Sequence, residues 1–378
     1  MTSRVDPANP GSELDSAIRD TLTYSNCPVP NALLTASESG FLDAAGIELD
    51  VLSGQQGTVH FTYDQPAYTR FGGEIPPLLS EGLRAPGRTR LLGITPLLGR
   101  QGFFVRDDSP ITAAADLAGR RIGVSASAIR ILRGQLGDYL ELDPWRQTLV
   151  ALGSWEARAL LHTLEHGELG VDDVELVPIS SPGVDVPAEQ LEESATVKGA
   201  DLFPDVARGQ AAVLASGDVD ALYSWLPWAG ELQATGARPV VDLGLDERNA
   251  YASVWTVSSG LVRQRPGLVQ RLVDAAVDAG LWARDHSDAV TSLHAANLGV
   301  STGAVGQGFG ADFQQRLVPR LDHDALALLE RTQQFLLTNN LLQEPVALDQ
   351  WAAPEFLNNS LNRHRKLAAA LEHHHHHH

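Results

Sequence analysis

The sequence predicts an α/β fold with mixed, mainly parallel sheets, arranged in two lobes. Two observations carry this prediction. Short apolar or alternating runs recur between helix-length segments, the pattern of linked β–α–β units. The 378 residues also exceed what one simple hydrophobic core accommodates.

The elements follow in chain order. Residues 1–18 are polar and rich in Pro, Gly, Ser and Asp, and read as a disordered arm. Thr21 to Tyr24 reads as a strand broken by Asn26-Cys27-Pro28. A helix is expected from Asn31, as N-cap, to Ala45; Gly46 ends it, and Ile47 to Leu52 alternates as a half-buried strand. Leu91 to Thr95, Gly102 to Arg106, Arg121 to Ser125, Val174 to Ile179 and Ala221 to Trp225 read as strands. Asp116 to Gly119, Gly153 to His166 and Gln210 to Ser216 read as helical, as does most of the chain beyond Arg263. Pro178 to Pro204 holds four prolines and little periodicity, the signature of a lid or binding loop. Gly306 to Gly310 does not follow a strand and reads as a flexible loop rather than a dinucleotide fingerprint.

Composition narrows the function. The formal net charge is −19, which disfavours nucleic acid and anionic membrane as partners. No apolar run approaches the ~20 residues of a membrane span. Residues 366–378 are an expression tag. Ahead of it the only lysine is Lys198, in a polar stretch, which argues against Schiff-base chemistry. His162 and His166 share a helix face but lack a third ligand, so no metal is expected. The N-terminus shows no apolar export segment, and Cys27 is the single cysteine; both point to a cytoplasmic protein.

Phe103 to Arg106, Asp116 to Val124, Gly170 to Val177, Ala215 to Ala221 with Trp225 and Pro227-Trp228, and Phe335 to Leu361 resemble, in order, the alkanesulfonate and thiamine-precursor binding family. The resemblance implies a periplasmic-binding-protein-like, type II fold with a ligand cleft between the lobes. Lobe 1 would comprise 19–105 and 226–365, and lobe 2 106–225. The segments Ser25-Asn26-Cys27-Pro28, Gly57 to Phe61 and Tyr68 to Gly73, within a match from Met1 to Arg365, resemble the aryl sulfinate desulfinases of dibenzothiophene desulfurisation. That resemblance implies a cofactor-free hydrolase, a monomer, splitting 2-(2-hydroxyphenyl)benzenesulfinate into 2-hydroxybiphenyl and sulfite. It implies Cys27, His60 and Arg70 as catalytic residues, with Gly73 beside the sulfinate.

The residue types are compatible with these roles. Cys27 follows a strand, where α/β folds place ligands, and a tuned thiol can attack sulfur or deliver a proton. His60 could hold or exchange the thiol proton if the fold brings the two together. The Arg70 guanidinium fork suits two oxygens of one anion, and the glycines after it let backbone N–H groups approach. Phe61, Trp155 and Phe203 are candidate walls of a biaryl pocket. The alternative function is a solute-binding protein for a sulfonate or other aromatic anion.

Overall fold

A computed structural model of the chain describes residues 19–25, 27, 29–52, 65–180 and 205–376. The arm at 1–18, the candidates His60, Phe61 and Phe203, and most of the expected lid (181–204) lie outside the described residues.

Among the described residues ten strands form two sheets. They are β1 (Asp20–Ser25), β2 (Ile47–Val51), β3 (Tyr68–Gly73), β4 (Thr89–Leu97), β5 (Gln101–Val105), β6 (Arg121–Val124), β7 (Glu175–Pro178), β8 (Ala221–Trp225), β9 (Arg238–Pro239) and β10 (Tyr251–Ser258). The first sheet has the order β2-β1-β3-β10-β4 and the second β7-β6-β8-β5-β9. In the first, β1 runs parallel to β2 and β3, and β10 antiparallel to β3 and β4. In the second, β6 runs parallel to β7 and β8, and β5 antiparallel to β8 and β9. The chain therefore crosses between sheets twice, at 98–100 and again between β9 and β10.

Side-chain chemistry sets the local elements. The Asn31 side chain caps the helix Ala32–Glu38, accepting from the Leu34 amide at 2.7 Å. The helix expected to run on to Ala45 stops early. Ser39-Gly40 intervenes, Gly40 takes φ 89°, and a separate turn of helix spans Phe41–Ala44. Strand β3, like β10, is an element that the sequence pattern hides. Its six residues are all buried, so polar-apolar alternation is absent, and its last two are glycines. Gly306 to Gly310 is likewise not the loop expected. Residues Thr302–Phe309 form a helix capped by Ser301, and Gly308 is there because backbone from Leu226 and Pro227 crosses it; a Cβ would lie 2.4 Å from Leu226 carbon and oxygen.

The core holds the sheets together. Leu22, Leu33, Ile47, Phe71, Trp255 and Leu272 pack the first sheet against the helices Ala32–Glu38 and Pro266–Ala283. A larger cluster runs from Leu91 and Ile94 of the first sheet, with Ile75, to Phe103 and Ile122 of the second, with Leu160, joined by Leu329 of the helix His323–Thr338. Among the described residues no helix is long and apolar enough to cross a membrane.

Candidate functional site

Cys27 follows the C-terminal end of β1, where the sheets meet. It is a free thiol, 7% exposed, packed with Val29, Leu226, Trp228 and Tyr251. Asn31 pins the loop that carries it. Its side-chain amide donates to Val29 O at 3.0 Å and to Phe71 O of β3 at 3.4 Å. Behind Asn31, the Thr35 hydroxyl donates to Asn31 O at 2.8 Å, so it accepts from Nε2–H of buried His294 at 3.2 Å. Burial lowers the His294 pKa to about 3, so this ring is a neutral structural donor.

Arg70 lies in the middle of β3, with Ser25 of β1 and Thr256 of β10 as its register partners. It is 6% exposed, and Nη1 donates to Gly73 O at 2.9 Å. Arg70 and Gly72 point to the same face of the strand. A Cβ on Gly72 would lie 2.6 Å from Cys27 Sγ and 3.0 Å from Arg70 Nη2, so the thiol and the guanidinium converge on this glycine. Gly73 faces the indole of Trp155: its Cβ position is 3.1 Å from Cη2 and 3.2 Å from Cζ2. Cys27, Arg70, Gly73 and Trp155 are thus brought together.

The far wall comes from the second sheet and the crossing. Trp155 packs on Trp225 at 5.4 Å and on Tyr251 at 5.6 Å between ring centroids, and Trp225 also meets Trp228 at 5.6 Å. Trp155 is the second residue of the helix Ser154–His166, so the positive end of that helix abuts the site. Ser154 Oγ and Trp155 Nε1 are buried with no hydrogen-bond partner among the described residues. Burial raises the Tyr24 pKa, Cys27 adds to the rise and Arg70 opposes it. Tyr24, Trp225 and Tyr251 escaped sequence reasoning as site residues, and Gly72 was read only as a glycine that lets backbone approach an anion. For Gly72 the signal was present: a small residue two positions beyond a buried cation.

A buried guanidinium and a thiol converge on one glycine beside an aromatic cluster, and that combination suits a planar organic anion. Among the described residues no group of three or more His, Cys, Asp or Glu is placed to hold a metal.

No protein-family model matches the chain. Its fold is that of solved periplasmic binding proteins. A putative sulfonate transporter's periplasmic sulfonate-binding protein from Methylobacillus flagellatus KT superimposes with a TM-score of 0.64 at 14% identity, covering 92% of this chain and 96% of its own. The periplasmic aliphatic sulphonate binding protein of Escherichia coli gives 0.60 at 15%, covering 88% and 92%. The alkanesulfonate-binding protein of Xanthomonas axonopodis pv. citri, bound to MOPS, gives 0.57 at 17%, covering 88% and 98%.

Two expectations are corrected by these neighbours. The hydrolase expected from the desulfinase resemblance is corrected, because the three neighbours above are described as binding proteins. The cytoplasmic location is overturned because the first two neighbours, and a nitrate-binding one from Synechocystis PCC 6803, are described as periplasmic. The chain has the two-lobed type II binding-protein fold.

Proposed function

We propose that the chain is a solute-binding protein for a small aromatic sulfonate, held between the two sheets and acting, like its fold neighbours, outside the cytoplasm. One observation carries the reading: Arg70 is buried with a single main-chain acceptor and no ion pair among the described residues. A buried cation without a counter-charge is costly, and a bound anion would supply that charge. The neighbours' descriptions favour a sulfonate head group. Trp155, Trp225 and Tyr251 favour an aromatic body over an alkyl one. In this reading the lobe boundaries fall at the two crossings, which assigns β5 and β9 to the second lobe. Cys27 is then a wall residue, and Gly72 lets the Cys27 side chain and the Arg70 guanidinium pack together against the strand.

Calorimetric titration tests this. Benzenesulfonate and a biphenyl sulfonate should bind more tightly than methanesulfonate or nitrate, and a neutral biphenyl should bind weakly. Arg70→Ala should weaken the aromatic sulfonates by roughly tenfold to a hundredfold, the range of a charge-assisted hydrogen bond. Arg70→Lys should recover only part of that, because a point charge cannot grip two oxygens in parallel. Unchanged affinity in Arg70→Ala would overturn the assignment. Release of sulfite from an aryl sulfinate would overturn the reading as a binding protein.

A further inference from the structure

A second hollow lies away from Arg70 and shares no lining residue with it. It has a volume of about 900 Å³ and is bounded by the end of β4, the helix His323–Thr338 and the start of the helix Pro354–His376. Leu98 and Ala250, both in its lining, belong to the two crossings between the sheets. A further hollow of about 460 Å³ shares Leu98 and Arg316 with it and extends the furrow to Leu245. Leu98 and Leu245 are 38% and 89% exposed, unusual for large aliphatic side chains.

The furrow has a second chemical feature. Four arginines line the larger hollow in a chain of net charge −19. Two are already neutralised: Arg316 pairs with Asp312 at 2.9 Å and Arg320 with Asp322 at 2.8 Å. That leaves Arg284 and Arg331, in no ion pair among the described residues, against one further lining carboxylate, Asp324. Among the described residues Arg331 Nε is buried without a hydrogen-bond partner, and Arg284 is exposed. Val318, Leu328 and Leu361 supply apolar surface in the same hollow.

We propose that this furrow is a binding site for an elongated amphipathic anion, a straight-chain carboxylate, with its head on Arg284 and Arg331 and its tail along Leu98 and Val318. Charge selects the occupant: a neutral chain would leave both guanidiniums unmatched, and a cationic one would meet them with like charge. The apolar stretch excludes a bare inorganic anion as the best ligand. This site is independent of the aromatic sulfonate site and does not rest on it.

The test is calorimetry on the whole chain with dodecanoate below its micelle concentration, against dodecanol and dodecyltrimethylammonium. Dodecanoate should bind at least tenfold more tightly than either. The double variant Arg284→Ala, Arg331→Ala should lose at least tenfold, with an unchanged thermal midpoint. Asn358→Glu, at an exposed position in the lining, should also weaken dodecanoate and gives a second variant if the first folds poorly. Arg70→Ala should leave dodecanoate binding intact. Equal affinity for the three probes, or wild-type affinity in the double variant, overturns the proposal. So does loss of dodecanoate binding in Arg70→Ala, which would place the chain in the other site.

Discussion

Arg70 and Arg158 are each 6% exposed, yet they are buried in opposite ways. Arg158, on the helix Ser154–His166 of the second lobe, reaches the first. Its Nη1 donates to Thr332 Oγ1 at 3.2 Å, and its guanidinium lies over the Tyr251 ring at 5.4 Å. The Thr332 hydroxyl donates in turn to Glu74, whose charge acts on Arg158. Although Nη2 is unmatched, that seam carries its own counter-charge. Among the described residues Arg70 has only Gly73 O. A buried cation with an internal carboxylate serves the fold, whereas one without awaits a ligand.

The largest effect expected from this contrast is on stability. Arg158→Met should destabilise by about 3–5 kcal/mol, because it leaves Glu74 buried without its counter-charge. Chemical denaturation measures it, and Glu74→Gln in the same chain should restore part of the loss. Arg70→Met should cost far less or be neutral in the same assay, because it frees the Gly73 carbonyl but orphans no buried charge among the described residues. A similar loss in both variants would erase the distinction.

The pH dependence of stability comes next. Burial raises the Glu74 carboxyl to about 7, with Arg158 pulling the other way. The folded state therefore holds this proton more tightly than the unfolded chain, whose carboxyl titrates near 4.5. The resulting contribution, about 3 kcal/mol, is fully present below 4.5 and is lost as pH rises through 7. Glu74→Gln should flatten that fall. His294 works in the opposite sense. Its pKa is lowered, so its contribution is present above about 6.5 and is lost as pH falls towards 3. Denaturation curves between pH 4 and 8 on wild type, Glu74→Gln and His294→Gln separate the two.

Gly72→Ala should have a smaller effect on stability but a clear one on binding. The added methyl would sit 2.6 Å from Cys27 Sγ and 2.7 Å from its Cβ, so the loop or the strand must shift. Overpacking of this kind costs about 1–3 kcal/mol. Aromatic sulfonate affinity should fall more than tenfold. Adding Cys27→Ala should recover part of the stability by removing the obstructing sulfur. No recovery would mean that Arg70, at 3.0 Å, is the group displaced.

Much of the scaffold could be read from sequence because its elements announce themselves locally. β1, β6 and β8, and the helices after Asn31 and Gly153, fall where periodicity and capping place them. Strand β3 could not be read, since a strand buried on both faces has no alternation and this one carries an arginine. Arg70 itself was implied by the family resemblance and fitted the charge an anion needs, but its surroundings depend on β10, which pairs with β3 from nearly two hundred residues away. The seam was invisible for the same reason: Glu74, Arg158 and Thr332 come from three separate elements. Sequence resemblance also favoured catalysis over binding, because a cysteine beside an arginine suggests chemistry before the packing around the thiol is known.

The smallest effect should come from Cys27→Ser. The thiol packs against Val29, Leu226 and Trp228, and in the binding reading it fills space beside the head group. A hydroxyl there is smaller and more polar, and its burial should cost about 1 kcal/mol, moderated by the nearby Arg70 donor. Affinity for benzenesulfonate should change by less than threefold. A bound sulfonate should nevertheless slow alkylation of Cys27 in the wild-type chain, because a ligand held by Arg70 would lie beside the sulfur, which shares the Gly72 position with that guanidinium. Protection without an affinity change would locate the thiol at the edge of the site and Arg70 at its centre. An affinity loss as large as that of Arg70→Ala would make the thiol a direct ligand contact, and the contrast between the two buried arginines would no longer account for binding.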